Sequence, residues 1–114
     1  MVTKLPLHSM SESIQKISNV IDIIRQHAHA GEYIILPHAI SRQEERNITV
    51  PDIVFVLKYG EHETGKDVFK PSFRSWNYAI RGKTIDGRSI RIAIAFDKND
   101  MLIVTVIPLG KRRK

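Results

Sequence analysis

The chain has no cysteine among its 114 residues. A disulfide framework, a thiol nucleophile and a thiolate-bound zinc are therefore excluded, and a reducing compartment suits it. No apolar run approaches the roughly 20 residues of a membrane-spanning helix. The N-terminus, MVTKLPLHSM, lacks the unbroken apolar segment of a secretory signal, so a cytoplasmic protein with no membrane partner is expected. Several catalytic signatures are missing as well. There is no H-E-x-x-H or comparable grouping among the five histidines, no G-x-S-x-G, and no glycine-rich strand-to-helix turn that would cradle a nucleotide. Neither a metal nor a cofactor is expected.

Acidic residues are in short supply: twelve Asp and Glu stand against eighteen Lys and Arg, a formal charge of +6. Such a chain is drawn to polyanions or to an acidic protein. At 42% hydrophobic and 26% charged residues the composition is that of a folded domain, and 114 residues are enough for one modest core. The expected organisation is a loose leader at 1–10, an N-terminal helix at 11–31, a main domain at 32–108 and a basic tail at 109–114, where GKRRK stays solvated.

The order of elements reads helical first and strand-like after. In SESIQKISNVIDIIRQHAHAG, Ile14, Ile17, Ile21 and Ile24 recur at three- and four-residue steps, which predicts an amphipathic helix over 11–31, capped by Ser9 or Ser11 and ended by Gly31. YIIL (33–36) predicts a short strand, stopped by Pro37, which opens a second helix running to about Arg46, with Asn47 as a left-handed terminator. Thr49 caps a third helix carrying Val50, Ile53, Val54 and Leu57 on one face, and Gly60 marks its end. The two would form a helical hairpin. After a polar loop at 61–67 the pattern alternates. Trp76, Tyr78 and Ile80 share one strand face, and Asn77, Ala79 and Arg81 the other. Asp86-Gly87 predicts a tight turn, Ile90, Ile92, Ile94 and Phe96 a second strand, and MLIVTVI (101–107) a central third. The fold class is therefore α+β: N-terminal helices followed by an antiparallel β-meander.

Two groups of cations stand out. Arg81 and Arg91 lie on the strand faces opposite the apolar residues, with Arg74, Lys83 and Arg88 nearby in sequence. If the strands pair through the 84–89 turn, Arg81 and Arg91 come close together, which is unfavourable unless an anion lies between them. A phosphate suits that role, because the guanidinium fork binds it through two N–H groups; Asp86, Asp97 or Glu63 would serve equally. The second group is the row His38, Arg42 and Arg46, spaced by four along one helix edge. It reads either as a solvated face, with Glu44 and Glu45 as partners, or as a phosphate-docking edge with His38 at the helix start.

The stretch H-A-x-x-R-x-x-E-R-x-I (His38, Ala39, Arg42, Glu45, Arg46, Ile48), followed by Ile53, Val56, Leu57 and Gly60 and a meander ending in LIVTV (102–106), resembles a widespread bacterial domain family. That family is grouped with the BrnT-like toxins of the RelE/ParE superfamily, and the resemblance covers residues 32–108. Gln43 stands where the family has an apolar residue, and Asn47 where it has glycine. The resemblance implies a toxin of a type II toxin–antitoxin system, a metal-independent endoribonuclease acting on mRNA, on the ribosome or free, and neutralised by a cognate antitoxin protein. His38 would then be the acid–base group, with Arg42, Arg46 and Arg81 in the catalytic set. Arg91, Lys83 and Arg74 would hold phosphates, and Tyr78 or Trp76 would stack on a base. A non-catalytic nucleic-acid- or protein-binding module and a ParE-like gyrase inhibitor are the alternatives. The N-terminal helix, outside the resemblance, would pack on the sheet, contact the antitoxin or support a homodimer.

Overall fold

The computed structural model describes residues 15–98 and 100–109. The leader, the candidate capping residues Ser9 and Ser11, Ile14 and the tail 110–114 lie outside the described residues. The elements are α1 (Val20–Ala30), β1 (Ile34–Ile35), α2 (Pro37–Glu45), α3 (Val50–Tyr59), β2 (Glu61–His62), a 3₁₀ turn (Thr64–Lys66), β3 (Val68–Lys70), β4 (Ser75–Lys83), β5 (Ser89–Asp97) and β6 (Asp100–Pro108). The α+β class holds, with the helices ahead of the long strands. Among the described residues no helix is long and apolar enough to cross a membrane.

The sheet is mixed, in the order β1-β6-β5-β4-β2, with β3 also paired to β4. Strands β4, β5 and β6 form the expected antiparallel meander. β1 adds a parallel pairing that the alternation pattern does not show, Ile34 with Leu102 and Ile35 with Ile103. The polar loop holds one short strand, β2, and a second, β3, follows it, both paired to β4. One face of the sheet forms the core: Tyr78 and Ile80 of β4, Ile90, Ile92 and Ile94 of β5, and Met101, Ile103 and Val106 of β6 pack with Ile24, Ala39, Ile53 and Leu57 of the helices.

Helix α1 begins nine residues later than the apolar spacing predicts. Asn19 is left-handed (φ 54°) and breaks the helical path, so Ile17 lies in the irregular lead-in and the buried stripe is Val20, Ile24 and Ala28. Gly31 ends the helix at φ 73°, as expected, its N–H donating to Ala28. Pro37 opens α2 and Asn47 (φ 56°) turns the chain after it. Thr49 caps α3 in a reciprocal box: its hydroxyl accepts from the Asp52 N–H (3.2 Å), while an Asp52 oxygen accepts from the Thr49 N–H (3.1 Å). The two helices do not pack as a hairpin. α2 lies against β6, whereas α3 packs on α1 and β4.

Asp52 and Arg88 join the helical half to the β4–β5 turn. Asp52 also accepts from the Ile85 N–H at 3.1 Å, and Arg88 donates to the carbonyls of Arg46 (3.0 Å) and Asn47 (2.8 Å). Burial pushes the Asp52 carboxyl up, but the bonds from Thr49 and Ile85 outweigh it and hold the group below its ordinary range. A second anchor lies at the sheet's other end. The Asp67 side chain is fully buried and accepts from Lys16 Nζ (2.8 Å), His62 Nε2 (2.8 Å) and the Ala79 N–H (2.9 Å).

Candidate functional site

The two faces of the sheet differ because strand residues alternate. With the core on one side, the other carries Asn77, Ala79 and Arg81 of β4, Arg91, Ala93, Ala95 and Asp97 of β5, and Leu102, Thr105 and Ile107 of β6. The register stacks these into rows: Arg81 with Arg91, then Ala79 with Ala93 and Thr105, then Ala95 with Leu102. Small residues in the middle rows leave a depression. An irregularity in β6 opposite Ala93 and Ile94 inserts Val104 and bends the edge.

The depression opens into a groove of about 760 Å³. Ala95, Leu102 and Val104 give it an apolar floor. Leu36 and His38, from the start of α2, form one wall; Lys70, Ser72, Phe73 and Ser75, from β3 and the connection to β4, form another. Asn77, Asp97 and Thr105 add polar groups. Phe73 is 78% exposed.

Of the candidate residues, the structure brings His38 to this groove. Its ring is exposed, and among the described residues none bonds to it. Arg42 lies one turn further along α2, half-exposed, in a loose pair with Glu45 at 3.4 Å. Arg46 has left the helix and caps it, so the row of three does not continue as a helical edge. Neither arginine lines the groove.

Arg81 and Arg91 face each other across β4 and β5, as the Asp-Gly turn predicts. The anion between them is Glu63. Arg91 donates to both its oxygens, from Nε at 2.6 Å and Nη2 at 3.1 Å, and Arg81 approaches at 3.6 Å. The hydrogen bond from Arg91 outweighs burial and holds the Glu63 carboxyl below its usual range, while the same bond raises Arg91. Glu63 therefore neutralises half of the pair's charge within the chain and leaves one net positive charge. Lys83, exposed at the end of β4, continues this edge opposite Ser89.

Arg74 is exposed and left-handed (φ 52°), and it lines a separate small hollow with Trp76 and Tyr78 beside Ile17. Tyr78 is a core residue and not a stacking surface: it is buried, its hydroxyl accepts from the Ile17 N–H (2.9 Å), and burial pushes that hydroxyl up. The exposed aromatic ring of the groove is Phe73. It lies in the turn that joins β3 to β4, ahead of left-handed Arg74, so strand alternation gives no signal for it in the sequence. Lys70 and Asp97 are further groove residues that motif reasoning missed: Lys70 follows the polar loop in a stretch with no assigned element, and Asp97 opens a segment read as a turn. No group of described His, Asp and Glu residues is arranged to hold a metal ion.

A sequence model of one protein family, Domain of unknown function (DUF4258), matches residues 35–108, the stretch from β1 to β6. No curated protein and no solved structure matches the chain.

Proposed function

The chain belongs to the DUF4258 family, and from that premise together with the open sheet face we propose that it is a RelE/BrnT-like toxin, a metal-independent endoribonuclease acting on mRNA. The observation that carries this reading is the exposed imidazole of His38 at the wall of a groove that also presents Phe73 and Lys70. An exposed ring beside a cation is what sequence-tolerant binding of single-stranded RNA requires: the ring stacks on a base and the cation meets a phosphate. The groove then places an imidazole among them.

The chemistry follows from RNA itself. His38 takes the proton of a ribose 2′-hydroxyl; the oxygen attacks the adjacent phosphorus as the bond from phosphorus to the 5′-oxygen of the next nucleotide breaks, and that oxygen leaves with a proton from water while a 2′,3′-cyclic phosphate remains. Negative charge gathers on the phosphoryl oxygens during the step. Lys70 and the uncapped first turn of α2, where Leu36 supplies no side-chain acceptor, would oppose it. Arg91 and Arg81 stand further along the same face, where they would hold the strand. A protein antitoxin covering this face would block binding and cleavage together.

A map of mRNA 5′ ends minutes after induction in bacterial cells tests the reading. New ends at recurring sites are expected, and they should vanish with His38→Ala. Unchanged mRNA would overturn it, and growth arrest without cleavage would move the gyrase reading forward, to be settled by a supercoiling assay. One observation favours a non-catalytic binder instead. Asp67 holds the His62 ring at 2.8 Å, whereas no described residue orients His38. That reading predicts salt-sensitive RNA affinity without new ends.

A further inference from the structure

Along β5 the open face reads Arg91, Ala93, Ala95, Asp97: a cation, two small residues and an anion at even steps. Six residues of strand separate the ends by about 20 Å. Among the described residues Asp97 is the sole acid lining the groove, and none of them pairs with its carboxylate. A carboxylate is an odd component for a surface that takes RNA, since it repels every phosphate in reach.

Resting on the RNA-binding reading above, we propose that the groove is a guanine pocket in which Asp97 accepts hydrogen bonds from the base. An ionised carboxylate accepts and never donates, so it selects for two adjacent N–H groups. Among the four RNA bases, guanine alone offers two neighbouring donors on its Watson–Crick edge, N1–H and the N2 amino group. Adenine and cytosine each put an unprotonated ring nitrogen beside the amino group, and uracil flanks its single N–H with two carbonyls. Each of these turns a lone pair toward the carboxylate. The apolar floor of Ala95, Leu102 and Val104 fits the flat base, and Phe73 supplies a stacking partner. The Asn77 amide is at hand for the guanine O6. At the far end of the strip Arg91 and Arg81 face the strand's phosphates, so the acid reads the base away from the cations that hold the backbone.

The test is fluorescence anisotropy at low salt with four labelled RNA pentamers, UUGUU, UUAUU, UUCUU and UUUUU, on wild type and Asp97→Asn. The guanine pentamer is expected to bind on the order of tenfold tighter than the others, and Asp97→Asn should remove that preference. A carboxylate that only repels phosphate would give a different pattern, with Asp97→Asn strengthening all four pentamers equally. Equal binding of the four by wild type, or a preference that survives Asp97→Asn, overturns the guanine pocket and leaves the RNA-binding reading standing. Absence of binding to any pentamer overturns both.

Discussion

A methyl group on Gly60 would stand 2.5 Å from the Arg81 carbonyl oxygen and 2.6 Å from that of Val56, both backbone atoms with no rotamer to retreat into. Gly60 has φ −79°, which alanine adopts freely, so Gly60→Ala carries a steric penalty and no torsional one. The site is where the end of α3 crosses β4. On the opposite side a methyl group on Gly82 would meet the Gly60 Cα at 3.1 Å, so the two chains touch backbone to backbone. Relief requires α3 to move away from β4, loosening Val56 and Leu57, both fully buried. Overpacking of this kind costs about 2–3 kcal/mol. The alanine returns about 0.4–1 kcal/mol by restricting the unfolded chain. The net loss of about 2 kcal/mol corresponds to a fall in Tm of about 8–10 °C for a domain of this size. Thermal unfolding followed by circular dichroism measures it, with Gly65→Ala as control, since a methyl group there meets nothing within 4 Å. A Gly60→Ala protein melting within about 2 °C of wild type would refute the close-approach argument.

Asp67→Asn should destabilise the fold by about 3 kcal/mol, seen as a lower urea midpoint, because His62 and Lys16 lose the charge they share in a buried site. An unchanged midpoint would show that the Ala79 N–H bond alone anchors the loop. Glu63→Gln releases Arg81 and Arg91 from their internal anion, so RNA affinity should rise and fall more steeply with salt. The same variant has a pH signature. Glu63 titrates lower when folded than when unfolded, so its stabilisation is fully present above its unfolded pKa and is lost as pH falls through the folded one. Acid unfolding of Glu63→Gln should therefore be less steep than that of wild type below about pH 4.5; identical acid limbs would mean the Arg91 bond contributes nothing.

Where structure followed local chemistry, the sequence was readable. Pro37, Asn47, Thr49 and Gly31 each performed the boundary role their side chains dictate, and the Asp-Gly turn set a register that put Arg81 opposite Arg91. Ile17 misled because a periodic stripe cannot report that Asn19 is left-handed and stops the helix there. β2 and β3 were hard to see for another reason: two- and three-residue strands have too few alternations, and they exist because β4 offers them an edge. The groove was the least visible feature, since its walls come from the start of α2, the β3–β4 connection and the β5–β6 hairpin. His38 could be singled out in advance, whereas Phe73 and Asp97 matter only once those segments meet.

The parallel pairing of Ile34–Ile35 with Leu102–Ile103 also bears on how the protein is made. β1 emerges from the ribosome nearly seventy positions ahead of its strand partner β6, and the core residues Met101, Ile103 and Val106 arrive with that partner. Until β6 has been synthesised the sheet cannot close. Leu102, Val104 and Thr105 belong to β6 too, so an unfinished chain lacks one side of the groove. Translation order thus withholds the complete groove from nascent chains, and a transcript broken upstream of β6 yields products without it.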